Sequence, residues 1–297
     1  MIRVLGHRGV RHGKGFTENT LPSFEEALLH ADGLETDVVV SADGVAYLLH
    51  DSAIRFIPHL VSWATYGFGA YLDDASHAFA ASRHIEDMVS ADIDRLRFKD
   101  GNHIPKISDL FNHIAANPAM RDKVINLELK APGSARAVAA AVEKAVEAGN
   151  IRISQIVVSS FDHDELQKIR QFTPILRRAP IFWQDSVKPC LLYPWREGNE
   201  TRTKPVSIAN LEAPAIQKIL PDYFVLPAHG LTNIYLTAVK DLYPNASFAV
   251  WTAGTEPLPE KNKALQRILH DPGMRQSLSA VITNHPGPMK KFIGGPG

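Results

Sequence analysis

Glu35 and Asp37 lie two residues apart in the apolar run Leu34–Val40. Alternate residues of a strand share a face, so both carboxylates point the same way. Two carboxylates on one face of an apolar strand are costly to bury without a positive compensator. A hard divalent cation would serve, and so would pairing with Arg or Lys; the strand pattern alone fits both. A second group is Gly6-His7-Arg8-Gly9, directly after the apolar run Ile2–Leu5. Its glycines permit a tight turn that would present His7 and Arg8 at a strand end. Taken alone, His7 is one of 13 histidines and reads equally as a loop residue. The third group is Asn126-Leu127-Glu128-Leu129-Lys130. Glu128 and Lys130 share a face. They could be a solvated pair, or a further metal ligand and a phosphate contact.

A hairpin bears on the first group. Only Ser41–Gly44 separates Val40 from Val45, too short for a parallel crossover, and Asp43-Gly44 is a hairpin turn signal. A two-residue loop would set Asp37 opposite His50, and a four-residue loop would set Glu35 opposite His50. Either register brings His50 to the carboxylate face. A three-residue loop would send it to the other face.

These groups need a frame that gathers strand ends. Strand candidates are Ile2–Leu5, Leu34–Val40, Val45–Leu49, Val124–Leu129, Ile156–Ser160, Ile175–Ile181, Tyr223–Leu226, Phe248–Trp251 and Ala280–Thr283. Helical stretches lie between most of them. The clearest are Ser134–Ala148 and Leu21–His30, the latter with Asn19 and Thr20 as N-cap candidates and Pro22 in the first turn. Counting the hairpin once leaves eight strands, which predicts an α/β chain folded as a TIM-type (β/α)8 barrel. Its strand ends would face the active-site mouth. Two stretches read as insertions. Residues 52–104 hold Phe56, Trp63, Tyr66, Phe68, Tyr71 and Phe79, and 186–215 reads as a long loop. Neither is large enough for a separate domain, so 1–297 is expected to be one barrel domain with an insertion at about 52–104.

Composition narrows the class. Lys plus Arg and Asp plus Glu number 32 each, so nothing suggests a nucleic-acid partner. No apolar run approaches the roughly 18 residues of a membrane span. The single cysteine, Cys190, is expected to pack rather than react. The first strand begins almost at once, which leaves no room for a signal peptide and suggests a cytoplasmic location.

Taken together, Gly6-His7-Arg8-Gly9, Glu18-Asn19-Thr20, Phe24, Ala27, Glu35-Thr36-Asp37-Val38, Asp43-Gly44, His50-Asp51 and Glu128-Leu129-Lys130 resemble the glycerophosphodiester phosphodiesterase family. Ser160-Phe161, Trp251-Thr252 and Thr283-x-x-Pro286 extend the resemblance in weaker form. The family is one of the phosphatidylinositol-phospholipase-like TIM barrels. The resemblance implies metal-dependent hydrolysis of a small-molecule glycerophosphodiester to glycerol 3-phosphate and an alcohol. It implies Glu35, Asp37 and Glu128 as ligands of one divalent cation, and His7 and His50 as the acid/base pair. Arg8 and Lys130 match the positive groups around the phosphate, with Phe161 and Trp251 as further substrate contacts. Oxygen-only ligands favour Mg2+ or Ca2+ over zinc, and Mn2+ also fits. The chain departs from the family pattern at Asn284, where Asp is usual, near Gly254, and at Leu278-Ser279-Ala280. Those departures bear on the substrate rather than the reaction. The alternatives are a phospholipase-D-like enzyme acting on lysophospholipids, or a catalytically dead barrel used for binding. The intact ionisable set argues against the second.

Overall fold

The computed structural model describes residues 1–10, 15–50, 71–80, 83–183, 206–251 and 262–294. The strands are β1 (Arg3–His7), β2 (Gly33–Val40), β3 (Ala46–Leu48), β4 (Val124–Leu129), β5 (Ile156–Ser160), β6 (Arg177–Pro180), β7 (Tyr223–Pro227), β8 (Ser247–Trp251) and β9 (Leu278–Thr283). Eight are parallel, in the order β6-β5-β4-β2-β1-β9-β8-β7, and β3 pairs with β2. An Ile181↔Val225 bridge joins the ends of this path. There Phe182 N donates to Val225 O at 3.0 Å and Asp222 N to Arg178 O at 2.9 Å. Helices occupy the crossovers, and the arrangement is the expected (β/α)8 barrel.

The barrel follows from two periodicities. Strand residues alternate between the interior and the helix layer. Leu5, Val124, Val157, Ala179, Val225, Ala249 and Ile282 form the interior plug, while Val4, Leu34, Val38, Leu127, Val158 and Val250 face the helices. The helix Ser134–Glu147 buries Ala135, Val138, Ala139, Val142 and Ala145, the spacing of one helical stripe. Each fully buried valine there contributes on the order of 1.5–3 kcal/mol relative to exposure. Glu165, from the next helix, accepts Ala135 N at 2.9 Å and satisfies one of that helix's first donors.

Two expectations need correction. The β2–β3 register pairs Val40 with Ala46 and Val38 with Leu48. Ser41 N donates to Val45 O, so the loop is Ala42-Asp43-Gly44, the three-residue case. Gly44 there has φ +85°, the left-handed value such a loop requires. Asp43 caps the arrangement: it accepts from Ser41 Oγ, Ser90 N and Ser90 Oγ. The second correction concerns 186–215. Its last part is helical, at Ile208–Leu211 and from Pro214 on, while 186–205 lies outside the described residues. Cys190 is among those.

Residues 71–80 and 83–104 pack against the hairpin. Leu72, Ile85, Met88, Ile93, Leu96, Phe98 and Ile104 form a cluster with Val39, Tyr47 and Leu49, and Tyr71 and Phe79 rest on it. Val39 follows Glu35 and Asp37 on the same face of β2, one step farther along. This second core therefore stands at the mouth end of the barrel. Asp100 also accepts Thr17 N at 2.8 Å, tying the segment to the loop before the first helix. Phe56, Trp63, Tyr66 and Phe68 lie outside the described residues.

Candidate active site

Register gathers the ionisable residues. His7 pairs with Glu35 across β1 and β2, and Asp37 pairs with Glu128 across β2 and β4. The interior-facing side chains therefore form two layers at the mouth: His7, Glu35 and Asn126 below, Asp37 and Glu128 above. All three carboxylates are buried. One oxygen from each of Glu35, Asp37 and Glu128 lies within 4.8 Å of the others.

The carboxylates differ electrostatically. Burial, then the charges of Asp37 and Glu128, push the Glu35 carboxyl well above the usual carboxylate range. Burial acts on Asp37 in the same direction, but Lys130, then His50, Arg8 and His7 outweigh it and hold Asp37 well below that range. Lys130 Nζ lies 3.1 Å from Asp37 Oδ1 and 2.5 Å from Glu128 Oε1. Arg8 Nε lies 3.2 Å from Asp37 Oδ2, and Arg8 Nη1 lies 2.7 Å from Glu18 Oε1. Both pairings offered by the sequence thus have a physical basis here: Arg and Lys reach the carboxylates, and the carboxylates also converge. Glu35 Oε1 is buried with no hydrogen-bond donor among the described residues. Three converging carboxylates, with Glu35 Oε1 and Asp37 Oδ1 buried and making no hydrogen bond among the described residues, fit a hard divalent cation.

The turn after β1 is built for this cluster. Arg8 has φ +54° and Asn19 φ +57°, both left-handed and unusual for residues with a side chain. Arg8 N donates to Glu35 O at 2.9 Å and to Glu35 Oε2 at 3.1 Å. A Cβ on Gly9, at φ +79°, would fall 2.4 Å from Ser23 Oγ, and one on Gly6 would fall 2.7 Å from Gly9 O. Neither glycine tolerates a side chain unless the turn moves. Asn19 is not the helix cap; Thr20 occupies that position and makes no side-chain cap bond. Asn19 Nδ2 instead donates to Asp37 Oδ2 at 3.0 Å, and Thr36 Oγ1 donates to Asn19 Oδ1 at 2.8 Å.

His50 reaches the same neighbourhood by a different route from either favoured loop. In the observed register it would stand opposite Thr36, on the helix side. Regular strand ends at Leu48, and Leu49 N donates to Asp37 O at 3.0 Å. His50 follows in a bend, is buried, and is near enough to Asp37 to favour its charged form. On the other side, His7 Nδ1 lies 2.6 Å from Asn284 Oδ1 and His7 Nε2 lies 3.8 Å from Glu35 Oε2.

Opposite the carboxylates runs a row of rings. Phe161 and Trp183 centroids are 5.7 Å apart, Trp183 and Trp251 are 5.4 Å apart, and Lys130 Nζ lies 5.9 Å over the Phe161 ring. Trp251 Nε1 is buried and makes no hydrogen bond among the described residues. The structure therefore brings His7, Arg8, Glu35, Asp37, His50, Glu128 and Lys130 into one set, with Phe161 and Trp251 at its rim. Trp183 and the roles of Asn19 and Asn284 were not singled out from sequence. Nothing marks Trp183 except its place just beyond β6. Asp51, Thr252 and Gly254 lie outside the described residues.

Converging carboxylates and two histidines at the mouth of a (β/α)8 barrel are a donor set for a cation with proton-transfer groups beside it. The chain belongs to the glycerophosphoryl diester phosphodiesterase family, whose model matches residues 7–206. A curated glycerophosphodiester phosphodiesterase from Caldanaerobacter subterraneus subsp. tengcongensis is 27% identical over 195 residues, 63% of this chain and 69% of that protein. The fold matches the glycerophosphodiester phosphodiesterase of Thermotoga maritima with a TM-score of 0.61 at 22% identity, covering 98% of each chain. It also matches an Oleispira antarctica phosphodiesterase in complex with the product sn-glycerol-3-phosphate, with a TM-score of 0.64 at 16% identity, covering 99% of this chain and 97% of the other. No described helix is long and apolar enough to cross a membrane.

Proposed function

We propose that residues 1–297 act as one catalytic barrel that hydrolyses small glycerophosphodiesters to glycerol 3-phosphate and an alcohol. The single observation that carries this reading is the convergence of Glu35, Asp37 and Glu128 within 4.8 Å, with His7 beside Glu35 and His50 within electrostatic reach of Asp37. Glu35, Asp37 and Glu128 would hold one divalent cation, Mg2+ or Ca2+ before Mn2+ on their all-oxygen donor set. When bound, that cation neutralises charge on the phosphoryl oxygens.

The chain's own residues do the rest. The diester is anionic, so Lys130 and Arg8 lower the cost of bringing it to a carboxylate-rich mouth. Arg8 is held largely by Glu18 and Asp37, so its larger role is to fix Asp37, while Lys130 stands between the carboxylates and the Phe161 ring. One histidine takes a proton from the attacking water as its oxygen bonds to phosphorus. The other gives a proton to the departing alkoxide as the phosphorus–oxygen bond to it breaks. Solvent exchange then resets both rings. Phe161 and Trp251 form the rim against which the organic part of the diester lies.

The deciding experiment is a substrate panel with the full chain, EDTA, and metal add-back. Glycerophosphocholine and glycerophosphoethanolamine should yield glycerol 3-phosphate, EDTA should abolish turnover, and Mg2+, Ca2+ or Mn2+ should restore it. Faster turnover of lysophosphatidylcholine than of glycerophosphocholine would replace this reading with a lipid-directed one. Turnover unaffected by EDTA would remove the metal from it.

A further inference from the structure

We infer that the barrel interior holds a second binding site, entered from the end opposite the carboxylates, for a short-chain aliphatic alcohol. It does not depend on the hydrolytic reading above.

The site follows from what fills the barrel. Interiors of this fold are usually packed by layers of bulky branched residues. Here β6, β8 and β9 contribute Ala179, Ala249 and Ala280 instead. These small side chains leave a cavity of about 30 Å³, with Leu5, Val124, Val157 and Val225 completing its apolar wall. Val124 and Ala280 stay 9% exposed and Val157 8%, although they point inward, whereas Val4, Val158 and Val250 on the helix side are not exposed at all. A water-sized body therefore reaches the interior. It does so from the strand starts: Arg3, Tyr223 and Ser279 also line the cavity, stand at or next to the first residues of β1, β7 and β9, and are exposed or half-buried. Two polar groups at this rim are already bonded. Tyr223 Oη accepts from Arg177 Nη1 at 3.0 Å, and Ser279 Oγ donates to Phe248 O at 2.8 Å.

Asn126 selects the occupant. It lines the cavity from the layer beneath the mouth, is 3% exposed, and its Oδ1 makes no hydrogen bond among the described residues. A buried carbonyl oxygen without a donor favours a ligand that brings one. Water alone is a poor match, because a well-held buried water makes about three hydrogen bonds and the wall beside Asn126 is apolar. A carboxylate head would meet a second acceptor at Asn126 Oδ1 and the charge of Glu35, its register neighbour on β2. A cationic head would have to pass Arg3. A neutral hydroxyl on a hydrocarbon chain meets both surfaces: it donates to Asn126 while the chain lies on valine and alanine. A water needs about 10–15 Å³ of such space, so the cavity takes roughly two waters in a row, or a chain of about four carbons.

The test uses the full chain labelled at its alanine, valine and isoleucine methyls, titrated with butan-1-ol and with 1-fluorobutane while methyl NMR is recorded. The two probes have nearly the same shape, but only the alcohol donates. Butan-1-ol should shift the Ala249, Ala280 and Val157 methyls saturably and leave Val39, at the mouth, unmoved. 1-Fluorobutane should bind roughly three- to ten-fold more weakly, the worth of one neutral hydrogen bond. Ala249→Leu fills the cavity and should abolish the saturable shifts at Ala280 and Val157. Ala280→Val is the smaller fill, to be used if the leucine variant does not fold, and should weaken butan-1-ol at least five-fold. Shifts that never saturate, or that centre on the mouth, would overturn the inference. So would equal affinity for the two probes, which would leave Asn126 no part in binding, or undiminished binding in a folded cavity-filled variant. If neither filled variant folds, the comparison of the two probes on wild type still decides.

Discussion

Arg8 Nε approaches Asp37 Oδ2 to 3.2 Å from a left-handed backbone, and Asn19 donates to the same oxygen from a second left-handed residue. Two strained turns therefore aim at one carboxylate atom. A left-handed conformation costs an ordinary residue roughly 1–2 kcal/mol, so each persists because surrounding bonds hold it. Asn19→Gly should relieve the backbone cost while removing both side-chain bonds, and Asn19→Ala should remove the bonds and keep the cost. We expect Asn19→Ala to be the less stable by about 1 kcal/mol in urea denaturation. Both should weaken Mn2+ binding, because Asp37 loses its guide. Equal Mn2+ affinity in wild type and both variants would show that Asn19 serves the turn alone.

Metal binding should release protons. Glu35 lies well above the usual carboxylate range through burial and the charges of Asp37 and Glu128. A carboxyl raised on folding stays protonated at pH values where the unfolded chain has ionised. Without metal, stability contributed below its unfolded value is therefore lost as pH rises toward the raised folded value. A cation needs the carboxylate, so below that folded value binding must displace the proton. Titration calorimetry of Mn2+ in two buffers of different ionisation enthalpy should give a buffer-dependent heat that grows as pH falls. Affinity should weaken in the same direction. Glu35→Gln should abolish both the binding and the heat difference. A heat independent of buffer at mildly acidic pH would contradict the raised carboxyl.

Much of this was legible in sequence because strand alternation and register are nearly deterministic. Glu35 with Asp37, and Glu128 with Lys130, follow from period two alone, and eight strand ends imply one mouth. His50 reaches the site otherwise than hairpin pairing suggests: the loop has three residues rather than two or four, β3 stops at Leu48, and a bend carries His50 back. Turn length cannot be read from Asp43-Gly44, since the pair suits both two- and three-residue loops. Asn19 reads as a cap because Asn before a helix usually is one. Its left-handed backbone, invisible in sequence, sends the side chain to Asp37 instead. Trp183 and the His7–Asn284 contact depend on which strands become neighbours around a closed barrel, a long-range fact that no local pattern carries.

The two histidines should separate kinetically from the metal. His7→Ala and His50→Ala should each lower turnover of natural diesters by roughly 10² to 10⁴, the usual worth of a positioned acid or base. Mn2+ affinity should change little, since neither is among the converging carboxylates. A nitrophenyl diester supplies a leaving group that needs no proton. The variant lacking the acid should then recover much of its rate, and the variant lacking the base should not. The histidine whose alanine variant recovers is the acid of the pair, and recovery in neither variant would remove the paired mechanism.

The aromatic rim should govern KM. Trp251 Nε1 is a buried donor with no partner among the described residues, and its ring continues the row from Phe161 through Trp183. An unpaired buried donor costs free energy in the empty enzyme, so a substrate hydroxyl that accepts from it gains both the bond and the relief. Trp251→Phe keeps a ring in the row and removes the donor. It should raise KM for glycerophosphocholine roughly three- to ten-fold, the worth of one hydrogen bond, and leave kcat near wild type. Trp183→Ala removes the middle ring instead. It should change the preference between choline and ethanolamine diesters, since a quaternary ammonium gains more from aromatic faces than a primary one that also hydrogen-bonds water. Measuring kcat/KM for both diesters in both variants separates the contributions. If Trp251→Phe leaves KM unchanged and Trp183→Ala leaves the ratio of the two diesters unchanged, the row is packing at the barrel mouth and the organic half of the substrate lies elsewhere.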